Sequence, residues 1–242
     1  MNLRTASFVA TVAAITSVLQ VNANPGVIYS DSVNDIDPGI STGNGTLDLV
    51  SMEVSHTATD VQFKLTVNGN IGITDWGKFM VGIANNKGYG TSSSDGWARP
   101  ITMSANGGMT NWFGSWVDSG GGAENRSNQT SWGLTGASYN GNFGNFALAA
   151  GAQSTITYGV SIASIGMSIG DTFSFDAYSS GGGSGDSAID ALANPSVAVT
   201  SWGQAYDSGT STSFSYTLTA IPAPGAIALV GLAGLVARRR KA

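Results

Sequence analysis

The chain has 242 residues, with 15 acids, 10 bases, a single histidine and no cysteine. Five of the bases (Arg4, Arg238, Arg239, Arg240 and Lys241) lie at the two ends, so the body between them sets five cations against fifteen acids, a net charge of −10. Such a body repels nucleic acid and anionic lipid and suits neutral glycans or divalent cations, while one His and no Cys exclude an imidazole- or thiolate-rich metal site within the chain and any disulfide framework.

The first predicted element is a targeting segment. Arg4 is the only charge before Asp31, Ala6–Val21 is apolar with a few Ser and Thr, and Val21-Asn22-Ala23 puts small residues where a signal peptidase reads them. The sequence therefore predicts export of a protein with a signal peptide over residues 1–23, cut between Ala23 and Asn24. An acidic stretch follows, with Asp31, Asn34, Asp35 and Asp37 inside seven residues. Asp186 and Asp190, in and after a glycine-rich loop, are the other acids of this type. Flexible acidic loops supply the several oxygen ligands that Ca²⁺ takes, although the spacing here lacks the Gly and Glu of an EF-hand loop. No cofactor is expected; Ca²⁺ held by Asp31, Asp35, Asp37, Asp186 and Asp190 is the candidate exception, against the reading of a solvated turn or an Asp capping a local turn.

Gly39-Ile40-Ser41-Thr42-Gly43 fits the G-x-S-x-G pattern, but a nucleophile elbow needs a strand before it and a helix after it, and neither is present in the sequence. His56 reads as a surface or turn residue at the end of a strand. Fifteen acids offer many carboxylate pairs and the sequence singles out none for glycoside hydrolysis. No enzyme activity is expected.

From here the period is two. Val61, Phe63, Leu65 and Val67 alternate with Gln62, Lys64 and Thr66; Ile156, Tyr158, Val160 and Ile162 do the same, as do Phe214, Tyr216, Leu218 and Ala220. Each reads as a half-buried strand with one wet face. Leu47–Val54, Phe79–Ala84, Ile101–Ser104, Asn111–Val117 and Thr172–Ala177 complete the strand set, with Asn-Gly and Gly-rich turns between them. A short helical turn is predicted over Ser187–Leu192, capped by Asp186 or Ser187 and stopped by Pro195. The 34 glycines are balanced by six Trp, nine Phe and seven Tyr, which supply the apolar area that folding needs. The fold class is all-β: a single antiparallel β-sandwich, immunoglobulin-like or jelly-roll-like, over residues 24–220.

Trp76, Trp97, Trp112, Trp116, Trp132 and Trp202 fall mostly beside Gly, Ser, Asn or Asp. A glycan site combines aromatic platforms with hydrogen-bonding side chains. Trp97, Arg99, Trp112 and Trp116 form the candidate group, with 112 and 116 on one face because their separation is even. The competing reading is that these indoles are core. Asn44, Asn125 and Asn128 lie in N-x-S/T triplets, expected on exposed loops.

The last 22 residues, Ile221–Ala242, carry Pro222-Ala223-Pro224-Gly225, an uncharged apolar stretch to Ala237, then Arg238-Arg239-Arg240-Lys241. As a helix the 13-residue stretch Gly225–Ala237 would be about 20 Å long, shorter than a bilayer's hydrocarbon core. This tail resembles the PEP-CTERM sorting signal, with Ala223 where that motif usually has an acid. The resemblance implies recognition of Pro222, Ala223, Pro224, Gly225, Arg238, Arg239 and Arg240 by an exosortase-type processing enzyme, a tail that is only transiently in the membrane, and delivery to the cell surface or extracellular matrix, with exopolysaccharide nearby. The body resembles the sandwich of family-9 carbohydrate-binding modules, DOMON domains and glucodextranase-type C-terminal domains. That likeness rests on strand order and on the Gly170-Asp171-Thr172-Phe173 and Gly185-Asp186-Ser187 segments. The expected function is an exported surface protein that binds or associates with extracellular polysaccharide. A structural matrix protein with no discrete ligand is the alternative, and a polysaccharide hydrolase a third reading.

Overall fold

In the computed structural model the described residues are 23–87, 90, 94–139 and 146–221. The signal segment before Ala23, the sorting residues Pro222–Gly225 and Arg238–Arg240, and the predicted C-terminal apolar helix lie outside them. In chain order the strands are β1 (Val27–Ser30), β2 (Leu49–His56), β3 (Asp60–Val67), β4 (Lys78–Ala84) and β5 (Ile101–Thr102). β6 (Asn111–Trp116), β7 (Gly122–Asn128), β8 (Trp132–Tyr139), β9 (Ala147–Ala149) and β10 (Ser154–Ser161) follow. The last are β11 (Thr172–Ser180), β12 (Asp190–Ala191), β13 (Tyr206–Asp207) and β14 (Phe214–Thr217). No described helix is long and apolar enough to cross a membrane.

Two antiparallel sheets pack as a sandwich. The first has the order β1-β2-β3-β10-β9, the second β12-β11-β4-β6-β7-β8, with β14 pairing the same edge of β11 as β12 does. In the first sheet the two-residue period decides the faces. Val61, Phe63, Leu65 and Val67 of β3 are buried, Lys64 points out, and Tyr158 of β10 and Val54 of β2 sit opposite Phe63. Facing them across the core are Phe79, Val81 and Ile83 of β4, Phe113 of β6, and Phe173, Phe175 and Ala177 of β11.

The second sheet departs from the expected single wet face. Every residue of β4 after Lys78 is buried, as is every residue of β11 after Thr172. A second apolar layer covers the outer face: Met80, Trp112 and Tyr178 of the sheet pack with Ile101, Met103, Met109, Ile189, Val199 and Tyr206 from the long connections. A parallel pair of β5 with β13 is part of this layer. The sequence of β4, Phe-Met-Val-Gly-Ile-Ala, is continuously apolar rather than alternating, as a strand buried on both faces is.

The predicted helical turn at Ser187–Leu192 is extended instead. Ile189 and Leu192 donate backbone bonds to Ser179 and Ala177 of β11, and Ser187 donates to Trp202. Ala188, Ile189, Ala191 and Leu192 are all buried, so pairing to a sheet edge outweighs one isolated helical turn. His56 is also not on the surface. It is 2% exposed, with Nδ1 2.6 Å from the Tyr216 hydroxyl and Nε2 2.9 Å from the Thr219 carbonyl. Asn125 and Asn128 are buried in β7, against the expectation of exposed loops.

Register defines two poles. Thr172 pairs with Thr217 at one end of β11, where Asn24 Nδ2 also bonds the Thr219 hydroxyl. Ser180 at the other end pairs with Lys78, and Lys78 with Trp116. Nine extended residues separate those ends by roughly 26 Å at ~3.3 Å per residue.

Candidate functional site

An open cleft of about 550 Å³ lies at the Lys78–Trp116 pole, lined by Lys78, Trp97, Arg99, Trp116, Asp118, Glu124, Gly182 and Ser184. β6 runs without a bulge against β4, so Trp112, Gly114 and Trp116 share one face. Gly114 leaves room for the Trp112 indole, which a Cβ there would overlap. Trp97 is brought over this face by a tight turn built on Asp95, whose Oδ1 accepts from the amides of Trp97 (2.9 Å) and Arg99 (2.8 Å). Ala98, between them, takes a left-handed backbone conformation (φ 60°). Burial pushes the Asp95 carboxyl up to about 6, opposed by those two amides and then by the charges of Arg99 and Arg126.

The Trp97 ring lies 4.7 Å from Trp112, edge to face, and 6.3 Å from Trp116. Its Nε1–H donates to Glu124 Oε1 at 2.5 Å, and the same oxygen accepts from Arg126 Nε at 2.6 Å. Arg99 passes under the rim with its guanidinium carbon 5.6 Å from the Trp97 ring centre. Nη1 donates to Ser180 Oγ and the Asp186 carbonyl, and Nη2 to the Gly181 carbonyl. On the opposite rim Lys78 Nζ donates to Asp118 Oδ1 at 2.8 Å and to the Trp76 carbonyl. An adjoining depression of about 390 Å³, sharing Gly182, is lined by Ser41, Trp76, Gly181, Asp186 and Trp202.

Three of the four residues expected at a glycan site therefore line one cleft. The fourth does not: Trp112 is 0% exposed and serves as the floor beneath Trp97. Parity placed it on the face of Trp116, but the layer of connections over β6 buries the inner of the two. Arg99, only 3% exposed, ties the loop at Gly181–Asp186 to the cleft wall more than it offers hydrogen bonds outward. Sequence reasoning did not find Lys78, Asp118 or Glu124, which reach the cleft from three different strands or strand ends.

The acids expected to bind Ca²⁺ separate into two groups. Asp31, Asp35 and Asp190 each present an oxygen within 4.8 Å of the others. Asp37 and Asp186 stand apart from them: Asp37 Oδ1 accepts from the Gly39 amide and Asp186 Oδ2 from the Gly183 amide, both at 2.8 Å. These two acids brace local turns because an Asp carboxylate readily takes the amide two or three residues away. Within the group, burial first and then the neighbouring carboxylates push Asp31 up to about 9. Asp190 rises to about 8, with burial the main cause and the Leu49 amide opposing it. Burial likewise raises Asp35.

The chain matches no protein-family model, no curated protein and no solved structure.

Proposed function

We propose that this is an exported surface or matrix protein whose β-sandwich binds extracellular polysaccharide in the Trp97–Trp116 cleft. The observation that supports it is a pair of half-buried indoles beside a polar rim whose side chains are held by their own hydrogen bonds. Sugar rings stack their C–H faces on such indoles, and Glu124, Lys78, Asp118 and Ser184 supply donors and acceptors around them. Asp118 is paired with Lys78, and Glu124 takes bonds from Trp97 and Arg126. Both carboxylates are thus held as acceptors, which favours binding over hydrolysis. The route is the exosortase-type sorting of the tail, which follows the strand end at the pole opposite the cleft.

A glycan array probed with the purified protein tests the binding. Specific signals that vanish in Trp97→Ala and Trp116→Ala are expected. A blank array favours the structural matrix protein with no discrete ligand, and release of shortened oligosaccharides favours a hydrolase. Mass spectrometry of the mature C-terminus tests the sorting, with truncation near Pro222–Gly225 expected and an intact Ala242 opposing it.

A further inference from the structure

We infer that Asp31, Asp35 and Asp190 hold one divalent cation, of calcium type, that joins the two sheets to the segment following β1. The three carboxylates come from distant parts of the chain. Asp31 directly follows β1 in the first sheet, Asp35 lies in the loop after it, and Asp190 opens β12 on the edge of the second. Asp190 is 1% exposed and already bridges the sheets, its Oδ2 accepting from the Leu49 amide of β2 at 2.7 Å.

A second observation is independent of the clustering. Asp31 Oδ2 and both carboxylate oxygens of Asp35 are closed off from solvent, and no donor from another described residue bonds them. The nearby amides are used on other atoms: Ser32 on Asp31 Oδ1, and Leu49 and Ala191 on the two oxygens of Asp190. A carboxylate oxygen shut away from water and donors either takes up a proton or faces a positive charge. Among the described residues no cation stands beside them. Lys78, Lys87 and Arg126 pair with Asp118, Asp171 and Glu124, Arg99 is held at the cleft, and Lys64 points outward from β3. Hard oxygen donors select a hard cation. Ca²⁺ accepts irregular sets of carboxylate oxygens, whereas Mg²⁺ demands near-ideal octahedral geometry, so acids drawn from a strand end, a loop and a sheet edge suit the larger ion. A chain with no cysteine gains from such an ion the cross-link that a disulfide would otherwise provide.

The test is thermal unfolding of the full chain, stripped with EDTA and dialysed, with and without millimolar CaCl₂ or MgCl₂, together with isothermal titration with CaCl₂. Saturating Ca²⁺ should raise the melting temperature by about 5 °C or more, as binding to the folded state alone requires, with a smaller rise for Mg²⁺. The rise and the binding heat should disappear in Asp35→Asn and persist in Asp37→Asn. Should Asp35→Asn not fold, Asp31→Asn provides the same comparison. Absence of both heat and shift in the wild-type protein, or their persistence in Asp35→Asn or Asp31→Asn, overturns the assignment. None of these readouts depends on glycan binding.

Discussion

The half-buried Trp97 ring stands edge-on against the fully buried Trp112 ring, their centres 4.7 Å apart and their planes at 72°. One indole is the working surface and the other is its foundation, so truncating them should have different consequences. Trp112→Ala empties a packed site and should cost about 3–5 kcal/mol of stability. Trp97→Ala should cost roughly 1–2 kcal/mol, because water already reaches part of the ring. Denaturant midpoints of the two variants check this, and equal losses would contradict the division of roles.

Gly114 depends on the same indole. A methyl group at this position would overlap the Trp112 ring, which is wedged between β6 and the turn carrying Trp97. Gly114→Ala should therefore destabilise by about 1–3 kcal/mol through overpacking. Chemical denaturation measures the loss, and the near-ultraviolet circular dichroism of the stacked indoles should change with it.

Asp176 sets a pH dependence. Its carboxyl is buried in β11, where Oδ1 accepts from the amides of Ala177 and Ala193 and Oδ2 from the Ser208 hydroxyl. Burial nevertheless pushes it up to about 7, with the Ser208 hydroxyl the chief opposing influence. The folded state therefore binds this proton more tightly than the unfolded chain, whose Asp titrates near ~3.9. The stabilisation is complete below about pH 4 and is lost progressively as pH rises to about 7. Asp176→Asn should remove this share of the slope, seen as the difference between variant and wild-type unfolding free energies across that range, both in EDTA.

His56 and Tyr216 form a buried polar pair at the opposite pole, with ring centres 5.5 Å apart and a 2.6 Å contact between Nδ1 and the hydroxyl. Tyr216→Phe keeps the ring but leaves the imidazole nitrogen without its partner. A loss of about 1–3 kcal/mol is expected from that orphaned group. Urea unfolding measures it, and an unchanged midpoint would place the nitrogen in contact with water.

The strands of the first sheet were legible because one face meets water and the other the core. In β3 that contrast is written into alternate residues, and Val61, Phe63, Leu65 and Val67 point where the pattern says. The same rule put Trp112 and Trp116 on one face of β6, correctly. It did not say what covers that face, because the covering residues, Met103, Met109 and Tyr206 among them, come from connections with no period of their own. The extended segment at Ser187–Leu192 was misread for a related reason: its partners are in β11, and a local capping pattern carries no information about them.

Charge followed the same division. Composition alone established an acidic body with one histidine and no cysteine. Which acids meet was settled by folding. Asp37 is two residues from Asp35 yet bonds its own turn, while Asp190 joins Asp31 and Asp35 from the far end of the chain. Sequence by itself determined periodicity, composition and local turns, because these depend on neighbours along the chain. Tertiary structure decided burial and the meeting of distant carboxylates, because solvent exclusion depends on everything packed around a residue.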